Sequence, residues 1–375
     1  MEYVNGKRIE GVMPMSKTIK LFEMFSGFGG ASFALKKAGI DFECVGFSEI
    51  DKFAIQCYEQ NHCFKFPDCL RGEVIRPPNF GDCTKIDPND IPNFDLLTGG
   101  FPCQSFSTAG KGLGELDTRG TLFNEIIRIA EVKQPKYMLL ENVKGLTNKK
   151  HKATFEKILS ELKRIGYNVH WEILNSKNYG IPQNRNRIFF MCCRRDLVYT
   201  NNSMTFPEKE ELKIFLKDIL EDDVDEKYYL KQEQIDRILN STFHQEKLRI
   251  QDNKISSTLL ARDYKDPKCV RITGFYDKPG KTHQAGSIYD KEMISPALDT
   301  AQGGNRQPFI ATSKGLIKDD IFSIRKLTPT EYFRLMGFLN DEINLIGLSN
   351  SQRYKIAGNG FDVNLVSKIF KEMFL

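Results

Sequence analysis

The chain lacks any stretch approaching the ~18–20 consecutive apolar residues of a membrane-spanning helix, so no such span is expected. Its opening segment, MEYVNGKRIEGVMPM, carries charges and no apolar run of the kind a secretory leader uses, so no leader is expected. None of its 9 cysteines forms a Cys-x-x-Cys pair, which argues against a ribbon-type zinc site, and an odd number completes no disulfide framework. Most thiols are therefore expected to be free, in a reducing, cytoplasmic compartment. Cys57, Cys63, Cys69 and Cys83, with His62 beside them, are spaced unlike zinc knuckles, and no metal is expected there. The net charge is only +5, from 54 Lys plus Arg and 49 Asp plus Glu, too little to declare a polyanionic partner. Convincing internal repeats and low-complexity segments are absent too.

What is present is length and pattern. The 375 residues, 40% hydrophobic and 27% charged, suffice for two domains or for one large domain carrying an insertion. Charge is unevenly placed: Asp196 to Asp236 holds 5 basic and 12 acidic residues, and Arg237 to Lys318 holds 14 basic and 8 acidic. The second stretch places Tyr264, Phe275, Tyr276 and Tyr289 among Gly and Pro, a mixture suited to loops that face a polyanion. An ordinary solvated surface accounts for it equally well.

The first 190 or so residues alternate strand and helix. Apolar strands are expected at Thr18 to Phe25, Phe42 to Phe47, Phe94 to Leu97, Tyr137 to Leu140 and Arg187 to Cys192. Helices are expected at Ala31 to Lys37, closed by Gly39, at Thr121 to Val132 and at Lys152 to Ile165. This is the rhythm of a parallel α/β sheet. After Arg195 it stops, leaving an acidic helix-like run from Glu208 to Leu220 and scattered short strands until Leu327. Helical patterns return at TPTEYFRLMGF, with Thr328 as N-cap, and at the amphipathic Val363 to Phe374.

Open α/β sheets keep their chemistry on loops at the carboxyl ends of strands, so those loops carry the candidate residues. The turn Ser26-Gly27-Phe28-Gly29-Gly30 lets backbone approach a ligand, and Glu49, ending the second strand, suits ribose hydroxyls. Ser32 stands where a G-x-G-x-x-G pattern needs its third Gly, which disfavours NAD or FAD and favours a bound nucleoside, with Phe25 as an apolar wall and Asp82 facing an adenine amino group. Cys103, after a Pro in TGGFPCQSFST, is placed for a nucleophile, although a lone Pro-Cys pair is usually structural. Gly110 to Gly120, with Lys111 and Arg119, suits a lid over phosphate. Glu141 ends an apolar strand, as a proton donor or as a cap for the next turn. Arg185 and Arg187, two residues apart, are expected on one side of a strand, facing an anion or a carbonyl-rich ligand. Gly358-Asn359-Gly360 reads as a ligand-contacting turn or as the cap of the terminal helix.

In this order and spacing FSGFGG, Glu49, Asp82, Pro-Cys-Gln, Glu-Asn-Val, QNRNR and Gly-Asn-Gly resemble the ordered motifs of the DNA cytosine-C5 methyltransferase family, from about Ile19 to Phe374. The resemblance implies an α/β fold, a Rossmann-like S-adenosylmethionine-dependent methyltransferase sheet with an inserted smaller target-recognition domain. Residues 1–193 and 325–375 would form the catalytic domain and 194–324 the recognition domain, the terminal helix returning beside the first motif. Cys103 matches the family's thiolate for carbon 6 of cytosine, Glu141 the group acting at N3, Arg187 the holder of the carbonyl oxygen, and Arg185 its support. Phe25, Ser26, Gly27, Gly29, Glu49, Ile50, Asp82, Cys83, Asn359 and Gly360 would meet the cofactor, which leaves as S-adenosylhomocysteine. Gln104, Ser107, Lys111 and Arg119 on the catalytic loop would touch DNA. In the recognition domain Thr258, Leu259 and Ala261 resemble a Thr-Leu-x-Ala element, and Thr258, Arg262, Gly303 and Gly304 would also reach DNA, ordinary β-turns being the alternative for these.

One departure is Gly360, where many members carry Ser, followed by the unusual Phe361 and Asp362. The implied partner is double-stranded DNA, bound by a monomer, with a cognate restriction endonuclease or a solitary or viral setting both compatible. An RNA-acting branch shares the catalytic motifs, but its characteristic Cys-Phe-Thr is missing here. A catalytically silent binder would not need intact Cys103, Glu141, Arg185 and Arg187. A small-molecule methyltransferase would not need Pro-Cys-Gln or an inserted basic domain.

Overall fold

The computed structural model describes residues 18–62, 76–101, 122–197, 204–229 and 325–375, together with short strand segments elsewhere. Its centre is a six-stranded sheet built from β1 (Ile19–Met24), β2 (Phe42–Ser48), β3 (Leu96–Gly100), β4 (Tyr137–Val143), β5 (Tyr167–Asn175) and β6 (Asn186–Arg194). Across the sheet the order is β2-β1-β3-β4-β6-β5. The first four strands run parallel, and β6 lies antiparallel between β4 and β5. β1 is buried along almost its whole length, as a central parallel strand covered on both faces must be.

Alternation along the strands sorts side chains into two apolar layers. Leu21, Leu96, Leu139, Phe189 and Met191 pack on one face, beneath α1 (Gly30–Ala38) and α7 (Val363–Phe374). Phe22, Leu97, Met138, Leu140, Ile188 and Phe190 face the other way, against α3 (Thr121–Lys133) and α4 (Lys152–Arg164). The terminal helix α7 packs beside α1, as the family resemblance implies.

Local signals explain the helix ends. Gly39, at φ 74°, closes α1 by donating its N–H to Leu35 and Lys36 carbonyls. Thr328 and Glu331 form a reciprocal capping box at the start of α5 (Pro329–Arg334), with Pro329 in the first turn. Asp362 caps α7 by accepting from Asn364 and Leu365 N–H. Three elements are additional to the expected set: α2 (Lys52–Asn61), β5, and α6 (Asn350–Asn359).

The acidic run Glu208 to Leu220 is not a helix. It is extended apart from one 3-10 turn at Leu216–Ile219, whose Leu216 and Ile219 are buried in the same core as α5 and α7. Glu210 N–H reaches Asn178 O, and Arg334 Nη1 donates to Ile219 O at 3.0 Å, so tertiary anchoring overrides the helical composition. No described helix is long and apolar enough to cross a membrane.

Candidate active site

Everything of chemical interest gathers where β1, β3 and β4 end. β1 runs into a turn with three alternate positions in left-handed backbone: Phe25 (φ 53°), Gly27 (φ 56°) and Gly29 (φ 81°). Only glycine fits the last of these, because a Cβ there would stand 2.2 Å from His62 Nε2. His62 Nε2 lies 2.9 Å from Phe28 O, and burial holds its pKa down to about 4, so the neutral ring donates to that carbonyl.

Glu49 braces the same turn. Its Oε2 accepts from Gly27 N–H at 2.9 Å, and its Oε1 accepts from Ile50 N–H at 2.8 Å and Asp51 N–H at 2.9 Å. With about four acceptor positions on a carboxylate, Oε2 retains a lone pair. Asn79 reinforces Glu49, donating to its carbonyl and accepting from its N–H. Ile50 is 74% exposed beside it, an apolar side chain open to a flat apolar ligand. The Ser26 hydroxyl is buried without a partner among the described residues. Asp82 accepts from the Thr84 N–H and hydroxyl, which hold its carboxyl below the usual range, and Lys85 adds to this. Cys83 turns its thiol into the core, where burial pushes it up to about 11, so any ligand contact there falls to backbone. A nucleoside with a ribose diol and a polar tail fits this set: a spare carboxylate acceptor, an orphaned hydroxyl, an exposed Ile and half-buried Phe25.

Beneath the turn lies a group that pattern reading passed over. Glu23 is buried and accepts from the Ser32 hydroxyl and from Tyr58 OH at 2.9 Å. Burial raises its pKa to about 7 against those bonds. Tyr58 OH in turn contacts Cys44 Sγ at 3.2 Å, so one buried network ties β1, β2, α1 and α2 together behind the turn.

At the end of β4, Glu141 Oε1 pairs with Arg187 Nε at 2.9 Å, both side chains mostly buried. The next residue, Asn142, is not among the expected site residues; its Nδ2 donates to Phe101 O at 3.0 Å. That bond fastens the end of β3 two residues before Cys103. A Cβ on Gly100 would lie 3.6 Å from Glu141 Oε2, which shows how closely β3 and Glu141 approach. Cys103, Gln104, Ser107, Lys111, Arg119, Thr258, Arg262, Gly303 and Gly304 lie outside the described residues.

The two arginines have different partners, which corrects the expectation of a shared ligand. Arg187 engages Glu141, whereas buried Arg185 points into the protein, donating to Gly360 O at 2.9 Å and Gly358 O at 3.4 Å. Burial and the nearby Arg187 depress Arg185 to about 9, and Glu141 and Asp362 partly restore it. Gly358 and Asn359 are the last residues of α6 rather than a free turn, and Gly360 follows in extended backbone. Gly360 is explained by packing: a Cβ there would meet the Phe28 ring at 2.0 Å. The neighbouring Phe361 wedges between Gly30 and Gly100, joining the cofactor-side turn to the end of β3. Among the described residues no group of His, Cys, Asp and Glu is suited to hold a metal ion.

Residues 19–375 match the family model for C-5 cytosine-specific DNA methylases. The chain belongs to that family. Its relatives include the orphan methyltransferase M.SPBetaI of Bacillus phage SPbeta, 31% identical over 96% of this chain and 98% of that protein. Another is the type II methyltransferase M.HhaI of Haemophilus parahaemolyticus, 34% identical over 94% of this chain and 93% of the relative. Among solved structures a Spodoptera frugiperda DNMT2 mutant superposes with a TM-score of 0.67 at 21% identity, covering 96% of this chain and 100% of the other. A putative DNA modification methyltransferase from an E. coli prophage gives 0.62 at 19% identity, over 95% and 99%. The sheet is therefore that of the C5 methyltransferases, and this DNA methylase is a cytosine-5-methyltransferase. Family and fold imply S-adenosylmethionine as donor.

Proposed function

We propose that this DNA methylase modifies a cytosine within a short specific sequence of double-stranded DNA through a transient bond between Cys103 Sγ and carbon 6. The observation that carries this reading is the tether from Asn142 to Phe101 O beside the Glu141–Arg187 pair. It brings the root of the Cys103 loop against a carboxyl and a guanidinium, which is what attack on a cytosine ring needs.

Carbon 5 is a poor nucleophile, and thiolate addition at carbon 6 converts the ring to an enamine-like species. Glu141 acts at N3, by proton donation or hydrogen bonding, while Arg187 holds the carbonyl oxygen and orients the Glu141 carboxyl. Arg185 acts at one remove, securing the Gly358–Gly360 backbone that borders the site. S-adenosylmethionine supplies an electrophilic methyl group and leaves as S-adenosylhomocysteine. Glu49 and Asp82 suit its polar edges, Phe25 and Ile50 its apolar face, and the Ser26-Gly27-Phe28-Gly29 backbone its tail. Loss of the carbon 5 proton and expulsion of the Cys103 thiolate complete the reaction. Flipping the base out of the duplex costs roughly a few kcal/mol, which contacts from Gln104, Ser107, Lys111, Arg119 and the inserted segment offset.

The proposed setting is intracellular, the enzyme a monomer, either paired with an endonuclease of the same specificity or solitary; type II and orphan relatives represent the two. The test is base-resolution methylcytosine sequencing of DNA from a methylation-free bacterial host expressing the chain, beside Cys103→Ser. Methylcytosine in one short motif, absent from the variant, is the expected result. Unmodified DNA from soluble, donor-binding protein would overturn the proposal.

A further inference from the structure

The largest fully buried side chain among the described residues is not in the active site. It is Arg325, on the strand Ser323–Lys326, and it meets Glu331 of α5 through two parallel contacts, Nη2 to Oε1 at 2.7 Å and Nη1 to Oε2 at 2.9 Å. The two side chains are 2% and 0% exposed. Glu331 is also bound by backbone, accepting from Thr328 N–H at 2.7 Å and Glu221 N–H at 2.9 Å. The Thr328 hydroxyl bonds Glu221 in turn.

Arg325 stands where three parts of the chain meet. It pairs with Ile310 in the small sheet formed with Phe309–Thr312 and Ile288–Asp290. It forms an isolated antiparallel bridge with Tyr229, the residue at which the chain leaves the body. Through Glu331 it is tied to α5, whose Tyr332 and Phe333 belong to the same core as α1 and α7. The segment before Tyr229 is anchored to the body as well, by buried Leu216 and Ile219 and by Tyr228 OH, which accepts from Asn350 Nδ2 at 2.7 Å. The outgoing and returning chains thus close on each other at one point, and a bidentate buried ion pair bolts that point to the catalytic body.

We infer that Arg325 and Glu331 are positioning residues that fix the angle at which the segment between Tyr229 and Arg325 is held toward DNA, so that the inserted unit begins after Tyr229. The inference rests on the DNA-modifying role proposed above. A buried ion pair adds little net stability over an apolar pair of equal volume, because desolvation cancels much of the attraction. Its distinctive property is geometric: a two-pronged guanidinium–carboxylate contact tolerates little rotation, where a greasy contact would slide.

The test is the double variant Arg325→Met with Glu331→Gln, which keeps volume and leaves an acceptor for the α5 cap but removes the ion pair. Unmethylated plasmid DNA from a methylase-free host and methyl-labelled S-adenosylmethionine are the probes. With folding verified by circular dichroism, KM for DNA should rise about tenfold or more, while kcat at saturating DNA and the dissociation constant of the donor stay within about threefold. An unchanged KM for DNA, or a parallel loss of donor binding and kcat, overturns the inference. Should the double variant not fold, Arg325→Lys, which keeps the charge but not the fork, carries the same two readouts. A wild-type chain that labels no DNA would sink the functional reading and this inference together; an active wild type with indifferent variants would sink this one alone.

Discussion

Replacing Glu23 by Gln should make the stability of the protein less sensitive to pH, and the size of the effect follows from the burial of that one carboxyl. In the folded protein its pKa is about 7 rather than 4.5. Folding therefore favours the protonated group: its contribution is fully present below about pH 4.5 and is lost as pH climbs through about 7. At about 1.36 kcal/mol per pH unit, a rise from 4.5 to about 7 amounts to about 3 kcal/mol. The glutamine side chain would accept from the Ser32 hydroxyl and Tyr58 OH through its amide carbonyl and would not titrate. Urea unfolding of both proteins at pH 5, 6, 7 and 8 provides the comparison, and taking the difference cancels every other titrating group. The variant should gain on the wild type by about 2–3 kcal/mol between pH 5 and pH 8. A stability difference that is the same at both ends would refute the reasoning, because it would mean that Glu23 does not change its charge in that range.

Other outcomes follow from the site. Glu141→Gln should lower kcat by about 10²–10⁴, the range of a general acid–base group, with little change in donor binding by calorimetry. Glu49→Ala deprives the Gly27, Ile50 and Asp51 N–H groups of their acceptor, so KM for S-adenosylmethionine should rise roughly 10–100-fold while kcat at saturating donor is largely kept. Gly29→Ala puts a methyl group against His62 in left-handed backbone. It should cost at least about 2 kcal/mol in thermal unfolding and abolish measurable donor binding.

Elements with strong local signals are legible in the sequence. β1, its glycine turn, α1 with Gly39, the Thr328 cap and α7 announce themselves through apolar runs, capping residues and period. β5 does not: it is an edge strand of mixed exposure with no clean alternation. α6, whose exposed face is polar, reads as a turn at its last residues, because Gly358 and Asn359 are typical turn formers. The Glu208 to Leu220 run fails in the opposite sense, its helical composition losing to the burial of Leu216 and Ile219. The antiparallel β6 between β4 and β5 has no local signature, since strand order is set by long-range pairing.

By itself the sequence determined the chemistry: a Cys after Pro, a Glu at a strand end, paired Arg residues and a glycine turn, in an order that one family uses. Those are properties of residue type and spacing, which survive without coordinates. Tertiary structure decided what each group touches. Arg185 and Arg187 separate onto different partners, Gly360 is dictated by the Phe28 ring, and Asp51, the cap of α2, is joined to Lys355 of α6 from far along the chain. Burial of Glu23 sets its charge, and the Arg325–Glu331 bolt ties the returning chain to α5. Desolvation and steric fit depend on neighbours distant in sequence, so only the folded chain could specify them.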